Sequence, residues 1–161
     1  MKLNEQQTEA LVRNYTSEYM PLEDIILKAY KGKKDLPKRE QVSDEAFLKR
    51  FIGFVKSGQA ELLRSNNAVI LIYKAPSTKD EAVFDMYSPT ESMKEAAIDF
   101  FTFMAALKNK GYKSAKTYTN GPTNKRFYES FLKSISELEP ADDPDIGEYM
   151  LTTDLTKFGK E

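Results

Sequence analysis

The eight residues Ala68–Ala75, AVILIYKA, limit what this chain can become more than any other segment. Their β-branched character predicts a strand, and the apolar stretch Ala68–Tyr73 is far too short to span a bilayer. Gln59–Ser65 before it reads as another short strand. Asn66-Asn67 between them forms a two-residue turn, since asparagine tolerates positive φ. Pro76–Glu81 is a polar loop, and Ala82–Tyr87 a third strand centred on Val83 and Phe84. Three strands in a meander thus occupy the middle of the sequence.

The segments on either side carry helical periodicity. Asn4–Tyr15 places Ala10, Leu11 and Tyr15 on a thin apolar stripe. Pro21 suits a first helical turn and precedes Leu22, Ile25, Ile26 and Ala29, with Gly32 as the stop. A charged connector, KGKKDLPKRE, follows. Ser43 is the expected N-cap of the next helix, Asp44 and Glu45 favour its positive end, and Phe47, Leu48, Phe51, Ile52 and Val55 form its stripe up to Gly58.

After the meander, Ser88-Pro89-Thr90-Glu91 reads as a capping box with proline at the first helical position. The helix it predicts runs to about Lys110, turning Met93, Ala97, Phe100, Phe101, Met104 and Leu107 inward before Gly111. A strand over 113–119, a helix over 123–138 carrying Phe127, Phe131, Leu132 and Ile135, and a last strand over 148–155 complete the order. Residues 1–42 form an N-terminal helical docking segment, and 43–161 a core within one domain.

Composition removes whole classes of chemistry. With 161 residues a real core is affordable, and nineteen Phe and Tyr supply it. There is no Cys and no His, so thiolate nucleophiles, Ser–His pairs and the commonest transition-metal ligands are excluded. A net charge of −1 argues against bulk attraction to nucleic acid or anionic membranes. The polar N-terminus has no apolar signal core, which implies cytoplasmic synthesis.

Several residues invite a functional reading beside a plainer one. Glu61, Glu81 and Asp85 place carboxylates on the central strands, where burial would be needed to make a base and solvation is the simpler outcome. Asp142, Asp143 and Asp145 bunch in one loop without EF-hand spacing, so no metal site is expected. Lys108, Lys110, Lys113 and Lys116 interleave with Tyr112 and Tyr118, but a solvated helix end explains them without a nucleic acid.

The order β-β-β-α-β-α-β after N-terminal helices resembles the GNAT N-acetyltransferase core over about residues 43–155. Lys125-Arg126-Phe127-Tyr128-Glu129 is similar to a motif on the penultimate helix of that family. The resemblance implies an α/β (α+β) fold with a mixed central sheet. It also implies that, in an active member, Tyr128 would protonate the leaving thiolate and Asn120, or less well Asn124, would lie near the cofactor. Thr90, Glu91, Ser92 and Met93 would then hold the diphosphate of acetyl-CoA. The family's glycine-rich cofactor loop has no counterpart here, because Tyr87–Met93 contains no glycine. Pro89 removes one amide donor and Glu91 sets a negative charge where a diphosphate would sit. Degenerate domains of this kind resemble small virion proteins of tailed bacteriophages. The expectation is therefore a non-catalytic pseudoenzyme without cofactor, made in the host cytoplasm and held in a virion by contacts with other protein subunits. The alternative is an active N-acyltransferase with an atypical loop.

Overall fold

The computed structural model of the chain describes residues 21–32, 43–65, 68–90, 92–143 and 147–158. Their elements are α1 (Leu22–Gly32), α2 (Asp44–Lys56), β1 (Ala60–Arg64), β2 (Val69–Tyr73), β3 (Glu81–Tyr87), α3 (Met93–Asn109), β4 (Ser114–Thr119), α4 (Gly121–Phe127), β5 (Ser136–Pro140) and β6 (Tyr149–Asp154). The six strands form one mixed sheet in the order β1-β2-β3-β4-β6-β5. All pairs are antiparallel except β3–β4, which are parallel and joined through α3.

Side-chain alternation gives the sheet two faces with separate cores. On one, Ile70, Ile72, Ala82, Phe84 and Ala115 meet Phe100, Phe103, Met104 and Leu107 of α3, with Leu132 and Leu151 alongside. On the other, Leu62, Val69, Leu71 and Tyr87 meet Ile25 and Ile26 of α1 and Phe47 and Phe51 of α2. Tyr87 stands edge-on to both phenylalanines, with ring centroids 5.9 and 5.3 Å away. The run Val69–Ile72 is apolar on both faces because it feeds both cores.

Helix boundaries follow local chemistry where it is unambiguous. Ser43 caps α2 by accepting from the Ala46 amide at 3.1 Å. Gly58 and Gly111, at φ +77° and +102°, close α2 and α3 in a region that disfavours side chains. α1 buries Ile25 and Ile26 completely against the second core. The expected helix at Asn4–Tyr15, the connector after Gly32 and the Asn66-Asn67 turn lie outside the described residues.

Two expectations are corrected. α3 is opened by Ser92, whose hydroxyl accepts from Glu95 N at 3.3 Å, and Ser88–Thr90 stay outside the helix. Ser92-Met93-Lys94-Glu95 has the same S-x-x-E spacing as the Ser88 box, so either serine could cap in isolation. The expected helix over 123–138 begins at Gly121, runs through a π-helical turn at Tyr128–Leu132 and stops. Ser136–Pro140 is then a strand, because Tyr149–Asp154 offers it a full antiparallel partner.

Candidate functional site

β3 and β4 are paired only from Glu81–Val83 to Ser114–Lys116. Beyond that point Phe84–Tyr87 bond to β2 and Thr117–Thr119 to β6. The two halves of the sheet therefore part in a V at the carboxyl ends of its parallel strands. Crevices of this kind, where crossover connections diverge, are where open α/β sheets take ligands. α3 follows one arm of the V and α4 the other.

The start of α3 is where an anion could be received, since the first amides of a helix have no partner within it. Here they meet the chain's own side chains. Ser92 N donates to Thr90 Oγ1 at 3.1 Å, and Glu95 N to Ser92 Oγ. Thr90 Oγ1 in turn donates to Glu95 Oε2 at 2.8 Å, which holds a carboxylate across the helix mouth. Thr90 and Ser92, which the resemblance makes cofactor ligands, are thus engaged in capping; Met93 opens the helix, and Glu91 lies outside the described residues.

One turn further on, Ser65 Oγ donates to Asp99 Oδ1 at 3.2 Å, tying the β1–β2 hairpin to α3. Burial pushes the Asp99 carboxyl above its ordinary range, and Glu95 adds to this, while the hydroxyls of Ser65 and Ser88 work the other way. Ser88 Oγ is buried with no hydrogen bond of ordinary length, although it lies near enough to Asp99 to exert that influence.

The other predicted residues occupy mixed positions. Asn120 sits at the end of β4, where its Oδ1 accepts from Glu148 N at 2.8 Å and its carbonyl from Asn124 Nδ2. Its side chain holds the β5–β6 hairpin against the end of α4's arm. Tyr128, at the π-helical turn, is half-buried against the main core. Asp85 lies on the half of β3 that is no longer paired with β4 and accepts a 2.5 Å hydrogen bond from the Tyr73 hydroxyl.

Glu61 is neither solvated nor at the V. It forms an ion pair with Lys110, and both side chains are more than nine-tenths buried. Glu81 accepts from Ser114 at 3.0 Å and lies 3.6 Å from Lys116. Lys108 donates to the Phe158 carbonyl. Three of the four lysines considered for phosphate contacts are therefore committed within the fold. Among the described residues no group of acidic side chains could hold a metal ion. No described helix is long and apolar enough to cross a membrane.

Sequence reasoning missed the Asp85–Tyr73 bond, which depends on diagonal placement across two antiparallel strands. Two aromatic and acidic residues of like parity on neighbouring strands were the available signal.

The strand order, the parallel β3–β4 pair and the V define a GNAT-like acetyltransferase fold. No protein-family model and no curated protein matches the sequence. Solved structures do match in shape. A Salmonella typhimurium protein assigned as an acetyltransferase and crystallised with its cofactor acetyl-CoA is 9% identical, covering 99% of this chain and 95% of its own, with a TM-score of 0.55. A spermidine N-acetyltransferase chimera from Vibrio cholerae is 8% identical, over 88% of this chain and 97% of its own, with a TM-score of 0.54. An uncharacterised Bacillus halodurans protein reaches a TM-score of 0.60 at 10% identity, over 87% of this chain and 83% of its own.

Proposed function

We propose that the chain is a non-catalytic GNAT-like assembly protein that works through protein–protein contacts. The observation carrying this reading is the self-capped start of α3. Two of its amides are taken by Thr90 and Ser92, and the Glu95 carboxylate stands where a diphosphate would have to enter. Each lost or repelled contact removes on the order of 1–3 kcal/mol from cofactor affinity. Asn120, engaged with the hairpin backbone, fits a scaffold role as well. The setting that suits such a protein is a tailed-bacteriophage virion, on the strength of its size and of a fold kept without the glycine loop.

Calorimetric titration with acetyl-CoA, with CoA as control, tests the proposal. The expected result is no saturable heat at millimolar ligand. Saturable binding in the micromolar range would overturn it.

A second reading, an N-acyltransferase using acetyl-CoA, is favoured by one feature. Asp85 lies beside the V with its carboxylate oriented by Tyr73, as a base for an incoming amine would be. In that case Tyr128 would act as the acid and Asn120 would position the cofactor. Loss of turnover in Asp85→Asn with acetyl-CoA affinity retained would support it.

A further inference from the structure

Three strand ends meet the second turn of α3. Arg64 at the end of β1 pairs with Val69 at the start of β2, and Val69 pairs in turn with Tyr87 at the end of β3. Ser65 and Ser88, each the residue after its strand, therefore come to one end of the sheet. Both act on the carboxyl of Asp99.

The junction is one hydrogen short. Ser65 Oγ lies 3.2 Å from Asp99 Oδ1 and 3.4 Å from the Ala68 carbonyl oxygen, so a single hydroxyl hydrogen faces two acceptors. Ser88 Oγ is buried beside them with no hydrogen bond of ordinary length. The charges do not favour an ionised carboxyl either. Among the described residues Glu95, one turn earlier on α3, is the charged group that acts on Asp99, and it repels. Arg64, on β1, turns its Nε to the Ser65 carbonyl at 3.1 Å. The ends of β2 and β3 bring Ala68 and Ser88, which carry no charge.

We propose that Asp99 is a proton-binding latch between α3 and the β1–β2 hairpin. In the neutral form the proton on Oδ1 is donated to Ser65 Oγ, and the Ser65 hydrogen passes to the Ala68 carbonyl. The proton thus supplies the missing donor and completes a chain from helix to hairpin. In the ionised form the two acceptors compete again, a half-buried charge faces Glu95, and the junction loosens. The raised pKa of Asp99 agrees with this direction. The latch holds whether or not the V binds acetyl-CoA, so it is independent of the assembly reading.

The test is amide hydrogen exchange by NMR on the full-length protein across a pH series, corrected for intrinsic exchange, with the Asp99 carboxyl carbon followed in parallel. The reporter is the Ser65 amide, bonded to the Ala68 carbonyl at 2.8 Å; the control is the Asp154 amide, bonded to the Ile135 carbonyl at 2.9 Å. Protection at Ser65 should fall as pH rises through the Asp99 midpoint. The expected loss is about tenfold for each pH unit between the ordinary value of 3.8 and that midpoint, with no matching step at Asp154. Ser65→Ala should keep the Asp99 titration and lose the step at position 65. Absence of the step, an equal step at Asp154, or a step that survives in Ser65→Ala overturns the proposal. If acid unfolds the chain above the midpoint, Asp99→Asn at neutral pH decides. Its amide can donate to Ser65 Oγ permanently, so protection at Ser65 relative to Asp154 should exceed that of the parent; equal or lower relative protection overturns the latch.

Discussion

Lys110→Met should be among the most damaging single substitutions in this chain. Lys110 follows the last turn of α3 and reaches Glu61 on β1, with side-chain exposures of 8% and 9%. Removing the lysine leaves a carboxylate buried without its counter-charge. Breaking one side of a buried pair costs about 3–5 kcal/mol. At roughly 2–4 °C per kcal/mol for a domain of this size, the melting temperature should fall by about 6–20 °C. Glu61→Leu/Lys110→Met removes both charges and restores apolar contact, so it should lie close to the parent or above it. Urea denaturation followed by circular dichroism, run as a double-mutant cycle, measures the coupling directly. A single-substitution cost below about 1 kcal/mol, or a double variant as unstable as the two singles added, would refute the account.

Asp99→Asn should stabilise the protein near neutral pH. The folded-state pKa of Asp99 is raised, so the native state favours the protonated form and loses stability as pH climbs from the ordinary value of 3.8 through the raised one. The gain from Asn should therefore be seen in thermal melts above that window and vanish below it; an equal gain at all pH values would mean a packing effect. Asn120→Ala should cost about 1 kcal/mol by removing the bond to the Glu148 amide, with hydrogen exchange rising first in β5–β6. Unchanged exchange there would place the role of Asn120 elsewhere.

The sequence was most readable where one residue type has one solution. Ser43 before an acidic turn, glycine at the ends of α2 and α3, and the run at Val69 each left little choice. It was least readable where the answer lay far away in the chain. Ser88 and Ser92 offer equivalent caps, and the burial of Ser88 at the end of β3 removes it from the competition. Ser136–Pro140 has weak strand propensity, but the facing ladder of β6 supplies what propensity does not. The partner of Glu61 lies forty-nine positions away. The V itself comes from a register that stops after three pairs, which no local pattern encodes.

The obstacles at the start of α3 are unequal, and their sizes determine which substitutions would open it. A capping hydroxyl is worth about 0.5–2 kcal/mol, so an incoming phosphate could replace Thr90 or Ser92 at modest cost. The Glu95 carboxylate is harder to displace, because it is fixed by Thr90 and repels the ligand outright. Pro89 contributes no amide and stiffens the approach, where the family's loop has glycine. Pro89→Gly/Glu95→Gln should therefore raise acetyl-CoA affinity more than Thr90→Ala/Ser92→Ala, which chiefly loosens the helix. Calorimetry on both pairs distinguishes them. Measurable binding in the first alone would mean that the cradle survives beneath its own charge. Silence in both would mean that the V does not fit acetyl-CoA even with its mouth opened. Gain in the second pair alone would reverse the ranking and make the hydroxyl caps the true barrier.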